Sequence, residues 1–336
     1  MVSAELHPYE EVMKFILAKW ISKPIYVAAK LNIADELSDG PKTIEKLAQK
    51  TDTHAPSLYR IMRALSCLGI FCELDDGRFE LTPMAECLTS DALRPVALLM
   101  HSDWHDKAWG HLFESVKTGE TAFDKVHGMP AFNWFEENPE AAQIFNEANA
   151  IKAVTSHRAI IDVYDFSVIN SLTDIGGGNG ALVAEILKAN LSLCGIVADL
   201  PAVVTTAEDL IRNYGLESRC QVVECDFFKK IPTGSDAYMM SHVLHDWNDE
   251  ECRIILKNLY MATSPGTKLL VVEALIPKGN EFSIAKLLDV EVFVMGGGRE
   301  RTKDEFLKLF QSTGFELLRV IPTNESISVI EAIRKV

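Results

Sequence analysis

Leu172-Thr173-Asp174-Ile175-Gly176-Gly177-Gly178-Asn179-Gly180-Ala181 is the stretch that decides the fold of this chain. Leu172 to Ile175 read as a strand, the glycines as a turn, and Ala181 to Ala189 as a helix. Glycine permits positive φ and lets backbone approach a ligand closely. The helix start then offers free N–H groups. The string satisfies two patterns. It reads as G-x-G-x-G, and with Ala181 also as G-x-G-x-x-A, a dinucleotide fingerprint.

Downstream, strands and helices alternate. Strands are predicted at Gly195 to Asp199, Cys220 to Glu224, Ala237 to Ser241 and Lys268 to Glu273. Helices are predicted at Val203 to Asn213, Asp249 to Ala262 and Lys303 to Thr313. Glu316 to Thr323 and Ile327 to Ala332 form a closing pair of strands. This rhythm predicts an α/β fold, a doubly wound Rossmann-like sheet with helices on both faces. Its ligand crevice lies at the C-terminal ends of the strands. Asp199 falls about twenty residues beyond the glycine turn, where a carboxylate accepts ribose hydroxyls. Nicotinamide and adenosylmethionine cofactors both need that contact, so Asp199 does not separate them. A helix cap ahead of Pro201 is the plainer reading of the same residue.

Upstream, the grammar is helical. Apolar positions at helical spacing run through Val12, Phe15, Ile16 and Ile21, and continue from Ile25 to Leu31 after Pro24. Thr43 is a candidate N-cap, and Ala55 to Leu68 a second helix with Leu58, Met62 and Leu65 on one face. Ile70 to Leu74 and Arg78 to Leu81 flank Asp76-Gly77 as a β-hairpin. Together these resemble a winged helix. Only Arg60 and Arg63 make the second helix basic, so a structural or dimer-forming module is preferred over a DNA reader. Pro95 to Val163 read as helical and rich in aromatic side chains.

The chain has 336 residues, enough for two domains, with ordinary apolar (48%) and charged (24%) fractions. A formal charge of -15 repels phosphate backbones and anionic lipid. Nucleic acid and membrane are therefore not expected as partners. No apolar run approaches the roughly 20 residues needed to span a bilayer. Met1 to Glu11 lacks the basic start of a signal peptide. Seven cysteines, an odd number without a C-x-x-C pair, read as reduced thiols. A cytoplasmic protein is expected.

Three further strings complete the pattern: Asp199-Leu200-Pro201, His245-Asp246-Trp247, and Arg299-Glu300-Arg301-Thr302. With Asp174-Ile175-Gly176-Gly177-Gly178 they resemble the caffeic-acid-type O-methyltransferases. That family includes plant phenylpropanoid enzymes and bacterial antibiotic-tailoring enzymes. The resemblance covers nearly the whole chain, because the winged-helix-like part matches the family's dimerisation domain. It implies a dimerisation domain over 1–100, a helical linker over 101–165 that contributes to the acceptor pocket, and a catalytic domain over 166–336. It implies S-adenosylmethionine as cofactor, S-adenosylhomocysteine as product, no metal, a homodimer, and a small hydroxylated, aromatic acceptor.

The resemblance also implies roles. His245 is the general base, flanked by Glu273 and Glu300. Gly176 and Gly178 line the methionine end of the cofactor, Asp199 holds the ribose, and Leu200 lies beside the adenine. Asp226 and Phe227 contact the adenine. Ser241 stands where plant members carry a lysine, so it offers a hydroxyl but no charge. Trp104, His105, Phe145, Asn149, Val292 and Met295 are candidate acceptor contacts, and Glu291 joins them if it faces the pocket.

The chemistry is consistent with these roles. A phenol has a pKa near ~10 and a histidine near ~6.5, so full proton transfer is uphill by roughly 5 kcal/mol. Two flanking carboxylates raise the basicity of the imidazole and fix its tautomer. For Glu273 and Glu300 the alternative is a surface salt bridge. His101 and His105 have metal-ligand spacing on a helix, without an acid to complete a known zinc pattern. Competing functions are N-methylation on the same fold, an NAD-dependent dehydrogenase, and a winged-helix regulator.

Overall fold

The computed structural model describes residues 7–335, apart from the side chains of Lys152, Val154, Thr155 and Ala202. Part of the Met1 to Glu11 segment therefore lies outside the described residues. Contacts divide the chain into two units. One holds the chain up to Gly110 together with Phe132–Lys152, and the other holds His111–Ala131 and the chain from Ala153 onward.

The first unit opens with α1 (Pro8–Ile16), α2 (Lys19–Lys30), α3 (Ile33–Glu36), α4 (Ile44–Lys50) and α5 (Ala55–Ser66). Thr43 caps α4, its hydroxyl accepting the Lys46 N–H at 3.3 Å. Pro24 lies inside α2 instead of dividing two helices; the chain turns earlier, at Leu17-Ala18. The hairpin β1 (Phe71–Glu73) and β2 (Phe79–Leu81) turns through Gly77 at φ +80. Then come α6 (Pro83–Glu86), α7 (Arg94–His101) and α8 (Asp103–Trp109). Ile33, Leu47, Leu58, Met62, Leu65 and Phe79 fill the core under α4, α5 and the hairpin. By contrast, Phe15, Ile16 and Trp20 stand 80%, 65% and 72% exposed.

The remaining helices before the sheet are α9 (Leu112–Thr118), α10 (Ala122–His127), α11 (Ala131–Glu137) and α12 (Pro139–Val163). The sheet then builds from β3 (Ser171–Ile175), α13 (Ala181–Ala189), β4 (Cys194–Asp199), α14 (Pro201–Asn213), β5 (Cys220–Glu224) and β6 (Ala237–Ser241). It continues through α15 (Asp249–Ala262), β7 (Lys268–Ala274), α16 (Ile284–Met295), α17 (Lys303–Thr313), β8 (Phe315–Pro322) and β9 (Ile327–Arg334).

The seven strands lie in the order β5-β4-β3-β6-β7-β9-β8. The first five are parallel, while β9 runs antiparallel between β7 and β8. Side chains alternate across this sheet into two cores. Met239, Leu270 and Val272 enter one with α13, whereas Tyr238, Met240, Leu269 and Val271 enter the other with α15 and α17. Burial on both faces explains why the parallel strands read as nearly continuous apolar runs.

Helix α16 received no boundaries from the sequence. Its apolar residues run almost all the way round, so periodicity does not separate helix from buried strand. All seven cysteines are free. Among the described residues, no helix is long and apolar enough to cross a membrane.

Candidate active site

The glycine turn follows β3. Gly176 has φ +68, and a Cβ there would lie 2.8 Å from Val243 Cγ2. Gly178 has φ +57, and a Cβ there would meet nothing within 4 Å. Gly176 is thus required by both conformation and close approach, and Gly178 by conformation beside open space. At the end of β4, Asp199 fastens the turn: Oδ2 accepts the Gly178 N–H at 2.8 Å and Oδ1 the Leu200 N–H at 2.7 Å. The residue at the cap of α14 is Leu200, so Asp199 is not that helix's cap.

After β5, Asp226 Oδ1 accepts the Phe228 N–H at 3.0 Å and Oδ2 pairs with Lys229 at 2.8 Å. The Lys229 ammonium holds that carboxyl below its usual range. The ring of Phe227 approaches the Gly176 backbone, and Ser241 is half-buried at the end of β6. All seven cofactor candidates therefore fall at the C-terminal edge of four neighbouring strands, β5-β4-β3-β6. A cradle closed to any Cβ at Gly176 and a carboxylate locked beside it fit a nucleoside cofactor with an amino-acid tail. Beneath the turn, Asp174 Oδ1 is buried without a hydrogen-bond partner among the described residues. Burial, with the charge of Asp199 added, pushes that carboxyl up to about 8.

The second half of the site starts at the end of β6. His242 takes a left-handed conformation, φ +54, and one 3-10 turn over Leu244–Asp246 carries His245. The imidazole is 15% exposed. Its Nδ1 lies 2.8 Å from Glu300 Oε1 and 3.5 Å from Glu273 Oε2, and its Nε2 lies 3.5 Å from Asp246 Oδ1. Glu273 and Glu300 are 0% and 1% exposed, which rules out surface salt bridges. Glu273 Oε1 also accepts the N–H groups of Val243 at 3.1 Å and His245 at 3.3 Å. Asp289 Oδ1, on α16, accepts the Glu300 N–H at 2.8 Å.

Burial by itself would push the imidazole down. The field of Glu273, the hydrogen bond to Glu300 and the charge of Asp246 reverse this and raise it to about 10. Burial in turn raises Glu273 and Asp246. With the Nδ1 proton directed at Glu300, Nε2 is the basic nitrogen of the neutral ring.

The candidate acceptor contacts divide between the units. In the first unit, Trp104 and His105 are buried on α8, and Trp104 packs against Trp134 (5.7 Å) and Phe135 (5.3 Å). Phe145 stacks on Phe135 at 4.8 Å, while Asn149 is exposed. In the second unit, Val292 is buried on α16, and Met295 and Glu291 are half-buried.

Sequence reasoning missed Asp246 as a third carboxylate at the ring and Asp289 behind Glu300. The ring of His242, which the sequence does not mark as catalytic, lies 5.4 Å from that of His245. Among the described residues, His242, His245 and Glu273 form the one group of three or more whose metal-ligating atoms all lie within 4.8 Å of one another; His101 and His105 belong to no such group. The adjacency of Asp246 to His245 in sequence was the available signal, whereas Asp289 had none.

Comparison with known proteins places this geometry. The O-methyltransferase domain family matches residues 109–316, and the O-methyltransferase dimerisation domain family matches residues 13–91. The phenazine O-methyltransferase PhzM of Lysobacter antibioticus is 41% identical over 324 residues, spanning 96% of this chain and 95% of that protein. The mitomycin biosynthesis 6-O-methyltransferase of Streptomyces lavendulae is 35% identical, spanning 93% of this chain and 90% of that one. The crystal structure of LaPhzM superposes with a TM-score of 0.92 at 39% identity, covering 98% of this chain and all of that chain. This chain therefore belongs to the plant-type family of S-adenosylmethionine-dependent small-molecule O-methyltransferases that carry an N-terminal dimerisation domain.

Proposed function

We propose that the acceptor is a hydroxyl on a small aromatic molecule and that His245 is the base that takes its proton. The observation that carries this reading is the 2.8 Å contact between His245 Nδ1 and the buried Glu300 carboxylate, with Glu273 3.5 Å from the same nitrogen and Asp246 3.5 Å from Nε2. S-adenosylmethionine supplies an electrophilic methyl group when bound. The protein's part is to hold the acceptor and receive a proton at Nε2. The carboxylates raise the imidazole toward the range of a phenol, near ~10, and so narrow the mismatch of roughly 5 kcal/mol that an ordinary histidine would face. The carboxylates also stabilise the imidazolium that forms, as the buried acid does in hydrolase triads.

The relatives named for phenazine and mitomycin biosynthesis make fused-ring hydroxylated aromatics the class to test first. The cofactor contacts assigned to Gly176, Gly178, Asp199, Leu200, Asp226, Phe227 and Ser241 are part of the same proposal. So is a homodimer formed through the exposed apolar face of Phe15, Ile16 and Trp20.

The test is a screen of hydroxylated fused-ring aromatics with methyl-labelled cofactor, read by product mass and fragmentation, in the wild type and His245→Gln. The expected result is an O-methylated product whose formation falls about 10²–10⁴-fold in the variant, with S-adenosylhomocysteine affinity unchanged. A variant that turned over at the wild-type rate would overturn the assignment of the base.

A further inference from the structure

Arg301 is 1% exposed and ranks among the largest fully buried side chains of the protein. The chemistry described so far does not use it. A buried guanidinium costs several kcal/mol unless its donors are met. Here Nη1 donates to Leu244 O at 2.8 Å and Nη2 to Trp247 O at 2.8 Å. Nε and Nη2 both reach Asp249 Oδ1, at 3.0 and 2.8 Å. The two carbonyls lie on either side of His245 in the chain. Asp249, its one carboxylate partner among the described residues, is 42% exposed, so this is not a closed buried ion pair.

The neighbours of Arg301 touch the same turn. The Arg299 N–H donates to His245 O at 2.8 Å, and Glu300 Oε1 meets the ring. A Cβ on Gly298 would lie 2.0 Å from His245 O, so only glycine allows this approach. Thr302 then starts α17 in a capping box with Glu305, which anchors the far end of the segment. Arg301 O accepts the Ile276 N–H at 3.1 Å, just beyond the strand that carries Glu273. Both carboxylate-bearing segments and the histidine turn thus meet at one residue. A single 3-10 turn has poor hydrogen-bond geometry of its own and is held by what surrounds it.

We propose that Arg301 is a positioning residue for methyl transfer: its guanidinium clamps the carbonyls flanking His245 and thereby fixes the imidazole in register with Glu300 and Glu273. The proposal rests on the reading of His245 as base. Lysine is a point charge and does not reproduce the planar fork.

The experiment compares wild type, Arg301→Lys and Asp249→Ala, with His245→Gln as reference. The readouts are calorimetric titration with S-adenosylhomocysteine, kcat and KM with an acceptor from the screen, the pH profile of kcat, and histidine-ring NMR titration. His245→Gln assigns the His245 resonances. The expected result for Arg301→Lys is unchanged cofactor-product affinity, kcat lower by about 10- to 100-fold, and a His245 titration midpoint moved down toward an ordinary histidine. A purely structural arginine would lower Tm and leave the midpoint and the kcat of the folded enzyme where they were; that result overturns the proposal. If Arg301→Lys does not fold, Asp249→Ala loosens the outer end of the same clamp. It should give a smaller shift in the same direction, and no shift would overturn the proposal. The NMR arm needs no acceptor. Full activity of His245→Gln alongside a displaced ring titration in Arg301→Lys would overturn the base reading and with it the role of Arg301 in methyl transfer, leaving only its hold on the ring.

Discussion

Glu300 Oε1 and His245 Nδ1 lie 2.8 Å apart, although 55 residues of chain separate them. Both side chains are largely withdrawn from solvent, so the interaction is far less screened than a surface pair would be. With the field of Glu273 it raises the basicity of the ring and, through the Nδ1 proton, leaves Nε2 as the basic nitrogen. The pH behaviour of the enzyme follows from it.

If the neutral imidazole of His245 accepts the acceptor's proton, kcat should rise with pH through the imidazole's own titration. With His245 raised to about 10, that limb should lie above neutrality. Glu300→Gln removes one carboxylate, which lowers the imidazole's pKa. A hydrogen bond to a charged group contributes about 1.5–3 kcal/mol, so the limb should move to lower pH by about 1–2 units. The plateau rate should fall as well, because the base is weaker. A pH series of kcat for both proteins checks this; a limb that stays put or moves upward contradicts the role of Glu300.

The two glycines of the turn should respond differently to an added methyl group. Gly176→Ala meets Val243 and a positive φ, so it should lose stability by more than the roughly 1–2 kcal/mol of left-handed strain. At Gly178→Ala the methyl meets no protein atom and only the strain remains. If Gly178 lines the cofactor, its variant should nevertheless bind S-adenosylhomocysteine at least about tenfold more weakly. Thermal unfolding and calorimetric titration separate the two effects. Undiminished affinity at Gly178→Ala would show that the cofactor does not approach that backbone.

Phe15 and Trp20 are 80% and 72% exposed on the N-terminal helices. Aromatic residues of this size bury about 150–250 Å² each when covered, which is a large share of a stable interface. The double variant Phe15→Glu, Trp20→Glu should sediment as a monomer at micromolar concentration, where the wild type is expected to run as a dimer. An unchanged sedimentation coefficient would place the interface elsewhere.

Much of this molecule is legible in one dimension. The strand-turn-helix around Asp174 to Ala189, the capping of α4 by Thr43 and the hairpin at Gly77 are local, because turn chemistry and periodicity act over a few residues. The strings at His245 and Glu300 are likewise contiguous, and their resemblance to a family named the chemistry. Neither α16 nor the run-through at Pro24 could be read, since a helix apolar on nearly every side has no useful period and tertiary packing tolerates one missing backbone hydrogen bond.

The sequence by itself determined the order of the strands along the chain, the glycine turn, and which residue types were available for acid-base work. Only the tertiary structure decided that Glu273 and Glu300 are buried against one imidazole, that Asp246 joins them, and that Asp289 and Arg301 hold the parts in register. The physical reason is that strand pairing and core packing bring together groups tens of residues apart. Burial then converts their charges from solvent-screened pairs into a strong local field.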